Sequence, residues 1–325
     1  MKTLKRFPIR VAIATLALAG LALPAGSNHA AAPPTDDSPS GSPTSISPTI
    51  ATAKPPTDAD LRERSAKLLA NQHRDDEAIE MYERVERHID RTSGANPRTL
   101  GDKTYRVVPT GAGNQKILLR DGNQRTDAAA YGEQMRALAD VLRTMANPND
   151  SRAKAAFAKR EKRQRERAQF VDAAQNAFIP KWLGTATCNG RPCDVFELDP
   201  NADFHPHSMF LDALVHVTAK IWVDHETIQI VHGEAYVTSD ISFGGGILGK
   251  LYRGGTVSMD QAEVAPGIWL PTRYTYDFSG RKFLFSFEQH QIIELSRFRR
   301  VGLPQEALAL VQSELSSGKT FSEDP

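Results

Sequence analysis

The C-terminal half of the chain alternates between apolar and polar residues, which predicts a series of β-strands from Trp182 to Phe298. Strongly alternating runs cover 218–224, 227–238, 256–264, 268–278 and 282–295, and short turns such as 265–267 and 279–281 join them. Because a connection of two to four residues can only return the chain antiparallel, these strands form a meander. With the hairpins described below, the sheet has about seven to nine strands and is large enough to curl.

Two segments have helical patterns instead. A helix is predicted over 57–90, because Thr57 and Asp60 form a capping box directly after Pro55 and Pro56. A second helical segment covers 126–178. Between the two, the runs 103–108 and 116–120 predict a β-hairpin.

Large aromatic residues concentrate on the last two predicted strands. Tyr274, Tyr276 and Phe278 alternate on one strand, and Phe283, Phe285 and Phe287 alternate on the next, so each set shares one side of the sheet. One interpretation is an ordinary core covered by the helices 57–90 and 126–178. The other is a cavity for an acyl chain or a similar ligand. The candidate lining residues are Trp222, Tyr274, Tyr276, Phe278, Phe283, Phe285 and Phe287.

The N-terminus has the order of a secretory signal. Basic residues precede the apolar run Val11–Leu23, and small residues follow it, so residues 1–31 are interpreted as a cleavable signal peptide, with an uncleaved anchor as the alternative. Residues 32–56 are rich in Pro, Ser and Thr and are predicted to be a disordered tether. This leaves a domain over 57–300 with a helical insertion at 126–178, and a tail with a short helix at 301–325. The mature protein is expected to be soluble and periplasmic.

The two cysteines, Cys188 and Cys193, flank a turn that begins with Asn189 and Gly190 between two β-prone runs. An Asn-Gly pair in that context predicts a hairpin. In an oxidising compartment a disulfide across such a hairpin is plausible. Half of a zinc site is the weaker alternative, because the spacing is four residues and the chain has only these two cysteines.

The charge pattern bears on possible partners. The net charge is +1, which does not indicate a nucleic-acid-binding protein, and export would remove most nucleic-acid partners. Residues 152–167 carry eight Lys or Arg residues. This run is either a solvated helix face or a contact to an anionic membrane surface.

The remaining motifs do not predict chemistry. The Gly-rich segment 242–250 ends in Lys, but it lacks the spacing of a phosphate loop. Asp203, His205 and His207 could approach a metal, yet they follow a turn sequence in which polar residues are expected, so no metal site is predicted. No arrangement of catalytic residues is recognisable from spacing, and we expect neither a cofactor nor an enzymatic activity.

Three motifs in order resemble the periplasmic lipoprotein-carrier superfamily, the LolA/LolB-like group of outer-membrane lipoprotein-sorting proteins. They are Ile221–Asp224 followed by Glu226 and Thr227, then Gly267–Arg273, then Gly280 and Arg281 before a Phe-rich strand. The resemblance covers roughly residues 57 to 300 and implies an α+β fold: a curved, half-open antiparallel sheet with helices covering its apolar concave face, which takes acyl chains. The long basic helical segment, the tether and the tail depart from that pattern.

Together, these features predict an exported, non-catalytic protein that binds a hydrophobic or lipidated ligand. The alternative is a protein–protein interaction module of the cell envelope on the same fold. A second alternative is an envelope hydrolase whose residues the sequence does not reveal. The oligomeric state, the ligand and the partner stay open.

Overall fold

In its described residues the protein has an α+β fold built on one open antiparallel sheet of thirteen strands, which confirms the predicted fold class. A computed structural model describes residues 54–243, 246–247 and 249–317. The strands are β1 (Tyr82–Arg91), β2 (Thr99–Pro109), β3 (Asn114–Asp121), β4 (Gln124–Arg125), β5 (Phe178–Cys188), β6 (Arg191–Pro200), β7 (Val217–Asp224), β8 (Ile230–Val237), β9 (Ile241–Phe243), β10 (Gly249–Leu251), β11 (Thr256–Ala265), β12 (Ile268–Lys282) and β13 (Phe285–Arg300).

The sheet is larger than the pattern predicted because it also contains β1 and the short strands β4, β9 and β10. The order is β4-β3-β2-β1-β13-β12-β11-β8-β7-β6-β5, and β10 pairs with both β12 and β9. The last strand therefore lies beside the first one, with Tyr82 opposite Arg300 and Asp90 opposite Gln291. The predicted meander and the N-terminal hairpin form a single surface.

The helix predicted over 57–90 is too long, because helix α1 (Asp58–Ala78) ends twelve residues earlier. The capping box is present: the Thr57 side chain accepts from the backbone N–H of Asp60 at 3.2 Å, and the Asp60 carboxylate accepts from that of Thr57 at 2.9 Å. After a short 3₁₀ turn, residues Tyr82–Arg91 form strand β1. This strand is paired on both sides, with β2 and β13, so backbone pairing outweighs the helical preference of its Glu and Arg residues.

The remaining helices lie on both faces of the sheet. They are α2 (Ala128–Ala146), α3 (Ser151–Ala177), α4 (Met209–Asp212) and α5 (Pro304–Ser317). We call the face that carries Tyr274 the inner face. There α1 and the C-terminal part of α3 pack on the sheet, with Leu68 and Phe170 in the same apolar cluster as Ile221 and Met259. On the opposite, outer face of β1–β3, residues of α2 and α5 form a separate cluster.

The turn predicted at 279–281 is wrong. Strand β12 continues to Lys282, β13 begins at Phe285, and the two-residue turn is Phe283–Leu284. Gly280 is needed for close packing inside the strand, since a Cβ atom there would lie 2.4 Å from the carbonyl oxygen of Lys250. A glycine that indicates a turn in sequence can equally mark such an approach of two backbones.

No helix in the described part of the chain is long and apolar enough to cross a membrane. The predicted signal peptide, most of the predicted tether and the end of the tail lie outside the described residues. Helix α5 lies within the segment 301–325 that the sequence assigns to the tail.

Candidate functional site

Four aromatic side chains form a continuous row on the inner face, and we call Tyr274, Tyr276, Phe278 and Phe287 the aromatic row. The ring centroids of Tyr274 and Tyr276 are 5.9 Å apart and stacked. Tyr276 and Phe278 meet edge to face at 6.2 Å, and Phe278 and Phe287 do so at 6.3 Å. These are the separations that aromatic pairs favour.

The row follows from strand periodicity and from one cross-strand pair. Tyr274, Tyr276 and Phe278 alternate along β12, whereas Phe287 comes from β13, where it is opposite Gly280. The interior of the row is well covered, since Tyr276 and Phe278 are 4% and 5% exposed. Burial raises the pKa of both Tyr274 and Tyr276, so their hydroxyl groups stay protonated at physiological pH.

Tyr274, which we call the inner end of the row, lies beneath a polar contact between two helices. Arg167 of α3 forms an ion pair with Asp76 of α1, and both line a cavity of about 60 Å³ together with Tyr274. Burial raises the pKa of Asp76, although the Arg167 guanidinium opposes that shift. Removing either partner of such an ion pair would leave the other charge without compensation, so the contact requires both residues.

A larger cavity of about 740 Å³ lies along α3. Arg160, Arg163 and Arg167 give it a cationic wall, whereas Phe170 and Leu211 give it an apolar one. The cavity is therefore amphipathic. Arg167 lines both this cavity and the small cavity beside Tyr274, so it connects the cationic wall to the aromatic row.

Two of these arginines are engaged with acidic residues, whereas the third is held by a backbone group. Arg160 pairs with Glu80, and Arg167 pairs with Asp76. Arg163 is exposed and donates a hydrogen bond of 2.9 Å to the carbonyl oxygen of Ala112. Its charge is consequently the one least compensated by a carboxylate among the three.

The sequence-predicted site residues separate into three places. Tyr274, Tyr276, Phe278 and Phe287 form the aromatic row described above. Phe283 and Phe285 lie at the tip of the β12–β13 hairpin, where they are 52% and 79% exposed. Trp222 lies on the outer face, with its ring 4.7 Å from that of His232.

The arginines and Phe170 along α3 were not among the predicted ligand-binding residues. Their signal in the sequence is the basic run 152–167, which predicts either a solvated helix face or a contact to an anionic membrane surface. In the structure much of that run pairs within the protein. The ion pairs are Arg152–Asp150, Arg160–Glu80, Lys162–Glu166, Arg165–Glu161 and Arg167–Asp76.

The predicted disulfide is absent, because Cys188 and Cys193 are buried free thiols. The hairpin itself is confirmed, with Asn189 and Gly190 in the left-handed turn conformation at φ of 50° and 79°. The residue opposite Cys188 is Arg191, and the residue opposite Cys193 is Ala186. The cysteines are therefore diagonal neighbours, which are typically about 7–8 Å apart, whereas disulfides need closer α-carbons. The Cys193 thiol donates a hydrogen bond to the Cys188 sulfur, which together with burial raises the pKa of Cys193.

The predicted absence of a metal site concerned Asp203, His205 and His207. Within the described residues, no group of three or more His, Cys, Asp or Glu side chains could hold a metal ion. Asp203 lies in a polar turn, where its backbone N–H donates to the Asn201 side chain at 3.1 Å.

Comparisons with known proteins found no matching family model and no matching curated protein. Among solved structures, the chain is similar to a putative outer membrane lipoprotein-sorting protein domain from Vibrio parahaemolyticus, at 12% identity and a TM-score of 0.27 over 77% of this chain and 98% of that one. A LolA superfamily protein from Nitrosomonas europaea follows at 12% identity and a TM-score of 0.26, covering 74% and 96%. A DUF1329 family protein from Desulfovibrio piger has 12% identity and a TM-score of 0.23, covering 72% and 93%. Two of these solved structures come from the lipoprotein-sorting and LolA group that the sequence motifs resemble.

Proposed function

We propose that this protein is an exported, non-catalytic binding protein for a hydrophobic or lipidated ligand. The observation that carries the proposal is the amphipathic cavity along α3, which shares Arg167 with the small cavity at the inner end of the aromatic row. Binding pockets for such ligands are mostly apolar and contain a few polar groups that fix orientation. Work outside the cytoplasm rests on the signal-like pattern of residues 1–31.

The arrangement favours an amphiphile over a purely apolar ligand. An acidic head group would meet the cationic wall, where Arg163 has a backbone carbonyl as its partner and, within the described residues, forms no ion pair with a carboxylate. The hydrocarbon part would extend past Phe170 towards Tyr274. Helices α1 and α3 cover Tyr274, and they act as a lid that opens when the Arg167–Asp76 ion pair breaks.

A fluorescent fatty acid, cis-parinaric acid, tests the proposal directly. Wild-type protein should bind it, and Phe278→Ala should weaken binding about tenfold because a large apolar contact is lost. Leu119→Ala is the matched control, since Leu119 is equally buried at 5% but belongs to the cluster on the outer face. That variant should lose stability and keep its affinity for the probe.

The head-group contact has its own test. Arg163→Gln should weaken binding of the acid and leave binding of its methyl ester unchanged, because only the acid carries a charge. If wild-type protein binds neither probe, or if Phe278→Ala and Leu119→Ala affect binding equally, the proposal is wrong.

The second candidate function is a protein–protein interaction module of the cell envelope. The near-complete burial of Tyr276 and Phe278 favours it, because a filled inner face leaves no room for a chain. In that case Phe278→Ala should cost about 3–5 kcal/mol of stability, as for any packed core phenylalanine. A clearly smaller cost, with weakened probe binding, favours the ligand-binding function.

A further inference from the structure

The β12–β13 hairpin ends in a cluster of exposed apolar side chains. Phe283, Leu284 and Phe285 are 52%, 87% and 79% exposed, and Ile247 on the neighbouring β9–β10 loop is 76% exposed. We call these four residues the apolar tip. Single exposed apolar residues are common on proteins, but a contiguous group marks an interaction site.

Both loops of the apolar tip are held at the same end of the sheet. Strand β10 pairs with β12, with Gly249 opposite Lys282. The Arg281 side chain then donates to the carbonyl oxygen of Gly246 at 3.1 Å, which connects the hairpin to the base of the other loop. The tip is therefore presented by a paired scaffold.

The turn residues of the hairpin are poor choices for forming a turn. Phe283 has a φ of +54°, a conformation that favours Gly, Asn or Asp, and the turn contains none of these residues. The same chain uses the favoured pair Asn189–Gly190 in its β5–β6 hairpin, at φ of 50° and 79°. Strain of this kind concentrates where function sets the residue. Phe283 and Leu284 therefore serve something other than the turn.

Cationic residues lie along the two paired strands that carry the apolar tip. Arg281 and Lys282 precede the turn on β12, and Lys250 and Arg253 lie on or just after β10. Among carboxylates, Asp240 pairs with Lys250 at 2.7 Å and accepts from the backbone N–H of Arg253 at 2.8 Å. Apolar side chains that project beyond a group of cations match the boundary between acyl chains and anionic head groups.

We propose that the apolar tip docks this protein on the surface of an anionic phospholipid bilayer. Phe283 and Leu284 enter the boundary between head groups and acyl chains, and Lys282, next to the turn, contacts a lipid phosphate. This docking differs from the predicted contact through residues 152–167, whose charges largely pair within the protein. It also stands apart from the proposed ligand cavity, because it needs no occupant there.

Sedimentation with vesicles tests the docking. The full chain is compared on vesicles that contain phosphatidylglycerol and on vesicles of phosphatidylcholine alone. Replacing Phe283→Gly together with Leu284→Asn should weaken binding to the anionic vesicles about tenfold or more, through the lost apolar contact. Gly-Asn is a favoured hairpin pair, so the variant should be at least as stable as wild type, and lost binding cannot be attributed to misfolding.

Two further variants complete the design. Leu303→Asn is the matched control, since Leu303 is 60% exposed just after the opposite end of β13 and should leave vesicle binding unchanged. Lys282→Gln should weaken binding about fivefold, on anionic vesicles only.

Three outcomes overturn the proposal. They are wild-type binding that is equal on both kinds of vesicle, a turn variant that binds like wild type, and self-association that the turn variant abolishes, which would make a second copy the partner. Binding of cis-parinaric acid without vesicles reports separately on the ligand cavity.

Discussion

The ring of Phe287 lies directly against Gly280 on the neighbouring strand. A Cβ atom on Gly280 would be only 2.8 Å from the Cζ atom of Phe287. Gly280 is opposite Phe287 in the ladder, and its missing side chain lets the ring turn edge-on towards Phe278. The outer end of the aromatic row therefore depends on this glycine.

Gly280→Ala should lower the free energy of unfolding by about 1–3 kcal/mol, because overpacking forces both the Phe287 ring and the β10 backbone to move. Urea unfolding measures the change. Gly113→Ala is the control, since a Cβ atom on Gly113 meets nothing within 4 Å. Equal stability of the two variants would contradict the packing described here.

His232 should make the protein less stable as the pH rises from neutral. Burial opposes its charge, but hydrogen bonds to Asp260 at 2.5 Å and Glu234 at 3.2 Å raise the pKa of His232 to about 9 from 6.5. A raised pKa stabilises the fold fully below about pH 6.5, and this stabilisation is lost as the pH rises through about 9. The loss is on the order of 2–3 kcal/mol, discounted because both carboxylates are partly solvated.

Urea unfolding at pH 6, 7.5 and 9 measures this dependence. His232→Gln should flatten the profile over that range. His205→Gln, at an exposed position, is the control and should leave the wild-type profile intact. A wild-type profile that stays level between pH 6.5 and 9 would count against a charged His232.

Arg106 should be the most costly single charge to remove from the outer face. It is 1% exposed, donates to Glu83 at 2.8 Å and to Glu314 at 2.6 Å, and so joins β1, β2 and α5. Arg106→Met leaves these carboxylates with Arg299 alone, and we expect a loss of about 3 kcal/mol. Thermal and urea unfolding check this value. Lys159→Met, on the exposed face of α3, should change stability little.

Cys188 and Cys193 should titrate as two thiols in denaturant and react slowly in the folded protein. Both side chains are buried, and their diagonal register keeps the sulfur atoms unbonded. A thiol-reactive chromophore added before and after denaturation measures both states. Zero thiols in denatured, unreduced protein would show that the cysteines are cross-linked after all.

Much of the fold was predictable because its signals are local. The capping box at Thr57 and the turn at Asn189–Gly190 depend on residues that are adjacent in the chain. The shared face of Tyr274, Tyr276 and Phe278 depends only on the period of a strand. For the same reason the antiparallel meander follows from the short connections between its strands.

The features that sequence reasoning missed depend on contacts between distant segments. Residues Tyr82–Arg91 are a strand because β2 and β13 pair with them, although their composition is compatible with a helix. The cationic wall exists because α3 lies beside Glu80 and Leu211, which are far away in the chain. No local pattern contains such a partner.

The sequence by itself determined most strands between Trp182 and Phe298, which side chains alternate together along them and where the Asn189–Gly190 turn lies, because these follow from backbone period and local conformational preference. Only the tertiary structure decided that Cys188 and Cys193 are diagonal, that Gly280 packs against Phe287 and that the turn falls on Phe283 and Leu284. These outcomes depend on strand register. Register is set by the pairing of whole strands, and a shift of two residues keeps every side chain on its own face while it changes every neighbour.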